Sequence, residues 1–147
     1  MEALKRNGDG EEGIRGVKVP PEVYRNKVAF IQTVREGISG SVVKQAIHAL
    51  GDNRELFVKL LETTPGNLHR FYKRKALSRA DSEEVLDVLR VFYHTRQVFG
   101  DGDKALRWLN TPIPALSGEK PLDLFDTFEG RCLVREVLRK VEYGEFS

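Results

Sequence analysis

Cysteine is nearly absent from this 147-residue chain, and long apolar runs are missing altogether. The lone Cys132 excludes an intramolecular disulfide, argues against a cysteine-based metal site and fits a reducing compartment. No apolar run approaches the length of a membrane span. The N-terminal stretch "MEALKRNGDGEEGIRG" also lacks the apolar centre of a secretory signal. We therefore expect a soluble cytoplasmic protein of one domain or two small ones.

Motifs typical of enzymes and cofactor sites are missing as well. His48, His69 and His94 lie far apart, and none has the spacing of a metal ligand. The segment "GDGD" at 100–103 lies between helical segments and lacks the Lys-Ser/Thr pair of a phosphate-binding loop. No carboxylate stands in an apolar context that would raise its pKa. The sequence therefore predicts a protein that is not an enzyme and that binds no cofactor or metal.

Strand signals are also missing, since no stretch alternates polar and apolar residues over more than a few positions. Helical stripes recur instead, so the predicted fold class is all-α. Gly37, Gly51 and Gly100 are predicted to end three of the helices. The predicted N-caps of later helices are Asp81 or Ser82, Asp103 and Thr127. Residues 1–18 hold four glycines among charged side chains and few large apolar groups, so we expect them to be disordered.

Two helical segments joined by "TTPG" suggest a helix-turn-helix. Thr64 would cap the second helix, and Pro65 would take its first position. This helix would turn Leu68 and Tyr72 toward a core and polar side chains outward, as a DNA-recognition helix does. Arg and Asn read base edges, and Lys and Arg neutralise phosphates. The candidate DNA-binding residues are Thr64, Asn67, His69, Arg70, Lys73 and Arg74.

A basic run on a short helix is also typical of a solvated surface. Glu62 stands where a helix-turn-helix commonly has a glycine with positive φ, and Thr63 follows where an apolar residue is usual. Glu62 would also bring a negative charge near DNA phosphates. Whether this helix-turn-helix still binds DNA, or is kept only for oligomerisation, stays open at this point.

The chain ends in "RKVEYGEFS", after a helix whose apolar stripe holds Val134, Val137, Leu138 and Val141. Arg135, Arg139 and Glu142 lie on the opposite face. Tyr143 and Phe146 follow where little chain remains to pack against, and Ser147 adds a free carboxylate. Aromatic residues and Arg are enriched at binding hot spots, which predicts a protein-contact surface. The alternative is that the two aromatic side chains fold back onto Trp108. The candidate contact residues are Arg135, Arg139, Glu142, Tyr143, Gly144, Phe146 and Ser147.

Three segments near the C-terminus keep the order of a known family. "KALRWLNTPIPALSG" resembles the Ala-x-x-W-L-x-x-P-x-x-x-L-x-G signature of the toxin-binding domain shared by Xre/MbcA/ParS antitoxins. "EKPLDLFDTFEG" is similar to its P-x-[DE]-L-[LF]-x-T-x-x-G block. The ending is similar to its L-x-R-[IV]-E-x-G-x-[FY] close, with Lys140 where Arg is common. The resemblance spans residues 99–147, and residues 37–100 are more loosely similar to the preceding Xre-type helix-turn-helix.

The resemblance implies an antitoxin of a type II toxin–antitoxin system. Its partner would be a cognate RES-domain toxin that degrades NAD, neutralised by direct contact at or near the active site. Its other half would bind operator DNA as a homo-oligomer, a dimer, and repress its own operon. The implied division is 1–18 disordered, 19–100 helix-turn-helix and 101–147 toxin-binding. The alternative function is a stand-alone transcriptional regulator whose C-terminal part only dimerises.

Overall fold

Helices make up all of the regular secondary structure in residues 13–144, the part of the chain that this computed structural model describes. The predicted all-α fold class is confirmed. The α-helices are α1 Lys27–Glu36, α2 Ser41–Ala49, α3 Arg54–Leu60, α4 Leu68–Tyr72, α5 Arg79–Phe99, α6 Gly102–Leu109 and α7 Phe128–Glu142. Short 3-10 helices occur at Pro21–Tyr24, Pro114–Leu116 and Pro121–Leu124.

Most of the predicted helix ends are confirmed. Gly37, Gly51 and Gly100 follow α1, α2 and α5, with φ of 87°, 81° and 101°, a region that glycine adopts without steric cost. The Thr127 side chain caps α7 by accepting a hydrogen bond from the backbone N–H of Gly130 at 2.9 Å. At each of these helix ends, the sequence has the residue type that the local backbone conformation or capping hydrogen bond requires.

Two predicted N-caps are wrong. The cap of α5 is Ser78, whose Oγ accepts a hydrogen bond from the backbone N–H of Asp81 at 3.1 Å, so the helix begins earlier than predicted. The cap of α6 is Asp101 rather than Asp103, and it accepts from the N–H of Lys104 at 2.8 Å. In both places two suitable polar residues stand close together, and the earlier one caps the helix.

One hydrophobic core holds the chain together, and α5 lies at its centre. Helices α1, α2, α6 and α7 all pack against α5. Buried side chains of the same cluster come from both sides of residue 100, from Val23 and Phe57 through to Phe125 and Leu138. The predicted boundary between residues 100 and 101 therefore does not divide the core. A smaller cluster of Ile113, Leu116 and Val137 lies at the C-terminal side.

The prediction of disorder is wrong for residues 13–18. Ile14 and Val17 are buried in the main core, and the Arg96 guanidinium donates a hydrogen bond to the carbonyl of Gly13 at 2.8 Å. Two apolar side chains suffice here because α5 and the end of α2 supply the surface that covers them. Residues 1–12 lie outside the described part of the chain.

Candidate functional site

The six candidate DNA-binding residues are all exposed on and around α4. They are Thr64, Asn67, His69, Arg70, Lys73 and Arg74. On the inner side of α4, Leu68 and Phe71 are buried. Tyr72, predicted to face the core, is half-buried, and Phe71 takes its place because it stands one turn after Leu68. The helix therefore has an apolar inner side and a polar, basic outer side.

The start and end of α4 differ from the prediction. Thr64 Oγ1 accepts a hydrogen bond from the N–H of Asn67 at 3.2 Å and so caps a turn before the helix, which begins only at Leu68. Lys73 is the C-cap, so Arg74 lies beyond the helix and does not share a face with Asn67 and Arg70. The Arg74 guanidinium lies 4.5 Å from the centre of the Phe71 ring.

The turn between α3 and α4 has the expected backbone. Glu62 has φ of 51°, the left-handed conformation for which a glycine is usual at this place. Its side chain lines a hollow together with Asp81, Glu84 and Asp126, from the start of α5 and the segment before α7. Glu62 thus belongs to an acidic surface that includes side chains well outside α3, α4 and the turn between them.

Close backbone contacts hold the segment after α4. The N–H of Gly40 donates to the carbonyl of Arg74 at 2.9 Å, and the N–H of Leu77 donates to the carbonyl of Ile38 at 2.8 Å. A Cβ at Gly40 would lie 1.8 Å from the carbonyl oxygen of Phe71, so only glycine permits this approach. The basic helix is therefore fixed to the segment that joins α1 and α2.

A buried charge cluster joins α7 to α5. The Arg131 side chain is only 2% exposed. Its Nε donates to Asp87 Oδ2 at 2.7 Å, Nη2 to Glu84 Oε1 at 2.8 Å and Nη1 to the carbonyl of Phe125 at 2.8 Å. A buried guanidinium needs such partners, since removing it from water is otherwise costly. Sequence analysis missed this cluster, because an Arg on the first turns of a helix is usually exposed.

Arg135 takes part in the same cluster. It donates from Nη2 to Asp87 Oδ1, which also accepts two hydrogen bonds from Arg90, at 3.2 and 2.8 Å. Burial alone would raise the pKa of Asp87, but the hydrogen bonds and charges of Arg135, Arg90 and Arg131 outweigh it and hold the pKa below its usual range. Arg135, a candidate toxin contact predicted to lie opposite the apolar stripe, is thus held by a carboxylate of α5 and keeps 21% of its side-chain surface exposed.

The last turn of α7 presents the remaining candidates. Arg139 is exposed, and Tyr143 is 71% exposed, so Tyr143 does not fold back onto Trp108. Trp108 instead packs on Phe99, with ring centres 5.2 Å apart. Glu142 Oε1 lies 3.3 Å from Nε2 of His94 on α5. Gly144 follows the helix with φ of 69°, whereas Phe146 and Ser147 lie outside the described residues.

Two exposed apolar side chains on α7 were missed by sequence analysis. Phe128 is 65% exposed at the beginning of the helix, and Leu133 is 40% exposed near its middle. Leu133 and Tyr143 lie ten residues apart, about 80° short of three full turns, so they lie on different sides of α7. Their signal in the sequence is that neither belongs to the stripe of Val134, Val137 and Leu138, which the structure confirms as buried.

Two further searches concern sites of other kinds. Within residues 13–144, no group of three or more His, Cys, Asp or Glu side chains could hold a metal ion. Over the same residues, no helix is both long and apolar enough to cross a bilayer.

The chain is similar to known antitoxins. Residues 94–144 match the antitoxin Xre/MbcA/ParS C-terminal toxin-binding domain. A protein named Prs ADP-ribosylating antitoxin, from Sphingobium sp. (strain YBL2), is 29% identical over 94% of this chain and 96% of its own length. Two proteins named Antitoxin Xre match about half of the chain. They are 34% identical over 46% of both chains in Yersinia enterocolitica, and 30% identical over 53% of this chain and 57% of the relative in Photorhabdus laumondii.

The family match coincides with the geometry of the C-terminal side. Its range begins at His94, near the end of α5, and runs through α6 to Gly144, so it includes the exposed residues of α7. This confirms the resemblance carried by the three C-terminal segments. The chain is therefore similar to antitoxins of the Xre/MbcA/ParS type, and the similarity to their toxin-binding domain covers residues 94–144.

Proposed function

We propose that this antitoxin neutralises a RES-domain toxin that consumes NAD, by direct contact at or near the toxin's active site, and that it represses its own operon through α4. The resemblance of the C-terminal segments supports the choice of toxin. The name of the Sphingobium relative supports it too, since ADP-ribosylation transfers the ADP-ribose of NAD to another molecule. ADP-ribosylation breaks the bond between ribose and nicotinamide, and so it consumes NAD as a degrading enzyme does.

The observation that carries the proposed contact is the exposure of Tyr143. It is 71% exposed at the free end of α7, a helix whose other end is fixed to α5 by the Arg131 cluster. A large aromatic side chain held on a rigid element loses little conformational entropy when a partner covers it. Arg139 stands one turn earlier and is exposed as well. Residues 144–147 follow directly in the sequence, and the proposal includes them among the contacts.

The other predicted contacts take different roles in this proposal. The Arg135 guanidinium is held by Asp87, so Arg135 acts through the position of α7 rather than as a primary contact. Glu142 faces His94 but keeps 42% of its side-chain surface exposed, which leaves room for a partner at its edge. Leu133 lies on another side of the helix and is not part of this contact. The proposed surface therefore consists of Arg139, Tyr143 and the exposed edge of Glu142, together with residues 144–147.

Co-expression with the adjacent open reading frame tests the proposal. Growth, cellular NAD and co-elution are followed with wild type, with Tyr143→Ala, and with a variant that lacks residues 144–147. Phe128→Ala is the matched control, since Phe128 is as exposed but lies at the opposite end of α7. We expect the neighbour alone to deplete NAD, wild type to restore growth, and Tyr143→Ala to weaken binding at least about tenfold.

Two results would contradict the neutralisation proposal. If the product of the adjacent reading frame is harmless and nothing co-elutes, the C-terminal half does not neutralise a toxin. The alternative function, a stand-alone transcriptional regulator, is then favoured. If the neighbour is toxic and both tail variants still protect cells as wild type does, then binding occurs elsewhere on the chain. Equal losses for Tyr143→Ala and Phe128→Ala would indicate a general defect of α7 rather than a contact at its end.

The proposal of operator binding rests on α4. Its outer side carries exposed basic residues, and its backbone is fixed to the loop before α2. The neighbouring turn has the positive φ of a helix-turn-helix at Glu62. Arg70 and Lys73 are three residues apart, are exposed, and form no ion pair among the described residues, so both can approach phosphates or base edges.

Gel shifts on the region upstream of the operon test this part. We expect Arg70→Glu combined with Lys73→Glu to abolish specific binding, because two phosphate- or base-binding cations become repulsive. Lys140→Glu, an exposed change on α7, is the control and should bind as wild type does. Unchanged gel shifts in the double variant would show that α4 is not the DNA-binding helix. If wild type itself shows no specific binding, the helix-turn-helix does not serve operator recognition.

A further inference from the structure

A second group of basic residues lies beside α4 and has no role in the function proposed above for that helix. Residues 63–80 contain five Lys and Arg residues and no carboxylate, whereas the whole chain is nearly balanced, with 24 cationic and 22 acidic residues. Arg70 and Lys73 lie on α4 and at its C-cap, and Arg74 and Lys75 follow beyond the helix, both exposed. The strongly basic segment thus continues past the part of the chain that would read bases.

Lys44 of α2 joins this segment through a close backbone contact. The N–H of Gly40, directly before α2, donates to the carbonyl of Arg74 at 2.9 Å. Lys44 stands four residues after Gly40, about 6 Å along the helix axis, and it is exposed. Residues 37–49 contain no carboxylate either. Lys44, Arg74 and Lys75 therefore lie on neighbouring elements of one basic surface, which we call the flanking strip.

The three cations of the flanking strip have no counter-charge of their own. Within residues 13–144, none of them forms an ion pair. The Arg74 guanidinium lies 4.5 Å from the centre of the Phe71 ring, so its direction is restricted. A guanidinium that stacks on a ring keeps its N–H groups at the edge, where an outside acceptor can reach them. Arg74 is thus oriented for a partner that lies outside the chain.

We infer that the flanking strip binds the phosphate backbone of DNA, beside the bases that α4 would contact. Lys73 is the C-cap of α4, and the chain then turns toward Gly40, so Arg74 and Lys75 lie beside the helix rather than on its outer side. Lys and Arg side chains in such positions contact phosphates, which fix the position of a protein on the duplex and carry no sequence information.

The continuity of the charge favours DNA over an acidic protein as the partner. No carboxylate interrupts the basic surface between α4 and the flanking strip in sequence, so one duplex can cover both. The inference rests on the proposed DNA binding of α4, but it concerns affinity and salt dependence rather than the recognition of a sequence. The two can therefore fail separately, and the experiment below distinguishes them.

The salt dependence of DNA binding tests the inference. Binding constants of the full chain are measured over a series of salt concentrations, on the region upstream of the operon and on an unrelated duplex of equal length. The variant combines Lys44→Ala, Arg74→Ala and Lys75→Ala. We expect the slope of log binding constant against log salt concentration to decrease by about 2–3, since each lost phosphate contact removes about 0.9. The affinities for both duplexes should fall by the same factor, because every sequence presents the same phosphates.

A matched control removes the same charge from the other half of the chain. Lys104, Lys120 and Lys140 are exposed and form no ion pair within the described residues. Their combined change to alanine should leave the slope of wild type unaltered. A flanking-strip variant with the slope of wild type, or one that changes no more than this control, would overturn the inference. If its slope decreases but wild type does not prefer the upstream region, the flanking strip stands and operator recognition by α4 fails.

Exchange of the Phe71 ring tests how Arg74 is positioned. Phe71→Leu keeps an apolar side chain on the inner side of α4 and removes the ring. We expect it to lower the affinity for both duplexes about two- to tenfold, the cost of immobilising one long side chain, and to have no further effect once Arg74 is alanine. Phe71→Tyr, which keeps the ring, should bind as wild type does. Circular dichroism establishes that each variant is folded, and additive losses from Phe71→Leu and Arg74→Ala would contradict this positioning.

Discussion

Replacing Asp87 with Asn measures how strongly the buried charge cluster holds α7 on α5. The change keeps the shape of the side chain and removes its charge. Arg90 and Arg135 can turn toward water, since 29% and 21% of their side-chain surfaces are already exposed. Arg131 cannot, because 2% of its side chain is exposed, and it is left with Glu84 as its counter-charge.

The expected cost follows from the position of Arg131. Breaking a buried ion pair by removing one partner costs about 3–5 kcal/mol, and the surviving Glu84 contact places the loss near the lower end, at about 3 kcal/mol. For a chain of this length, such a loss lowers Tm by about 6–12 °C. Glu84→Gln is the matched control. Because the Glu84 side chain is 38% exposed, its loss should cost less than about 1 kcal/mol.

The pH dependence of the free energy of unfolding gives a second measure of how much the charge cluster stabilises the fold. The arginines hold the pKa of Asp87 below its usual value in the folded state, so the unfolded state binds the proton more readily. The stabilising contribution is therefore fully present above the ordinary pKa and is lost as the pH falls through the folded-state pKa. As the pH falls below the ordinary aspartate pKa of about 4, wild type should lose more free energy of unfolding than Asp87→Asn does.

Urea unfolding at several pH values measures both quantities. A loss below about 0.5 kcal/mol for Asp87→Asn at neutral pH would place the change among ordinary surface substitutions and refute the reasoning. So would pH profiles that run parallel in the two proteins. A changed denaturant slope would indicate a different unfolded or folded state rather than a lost ion pair.

Two further predictions concern close packing and a buried hydrogen bond. Gly130→Ala should lower the free energy of unfolding by about 2–3 kcal/mol, because its Cβ would lie 1.9 Å from the carbonyl oxygen of Leu124. Gly66→Ala, which has open space around it, should change it by less than about 1 kcal/mol, and equal urea midpoints for the two would contradict this account. Ser82→Ala should cost about 1–3 kcal/mol, since the buried N–H of Ile38 loses its acceptor. Thermal unfolding measures that loss, and an unchanged Tm would show that another group takes over.

The helices and most of their ends could be predicted because their signals are local. Gly37, Gly51 and Gly100 follow helices for a reason confined to their own backbone. The predicted start of a helix was wrong where two nearby residues could each act as its N-cap. Ser78 and Asp81 stand three residues apart, which is itself the spacing of an N-cap and the N–H it accepts from, so the true start of α5 was present in the sequence.

The charge cluster could not be predicted, because its partners lie far apart along the chain. Arg131 and Arg135 are more than forty residues from Asp87, and each would be read as part of a solvated helix face. The same reason explains residues 13–18, where Ile14 and Val17 find their apolar partners on distant helices. The exposure of Tyr143 was anticipated from its position after the last turn that can pack.

The central position of α5 in the core has a consequence for how the protein is degraded in the cell. Because the core on both sides of residue 100 shares this helix, the basic helix α4 and the exposed end of α7 should unfold together rather than as separate modules. A single proteolytic cut within α5 would then abolish the proposed toxin binding and the proposed operator binding at once. If both proposals hold, the toxin and the promoter would be released by the same event.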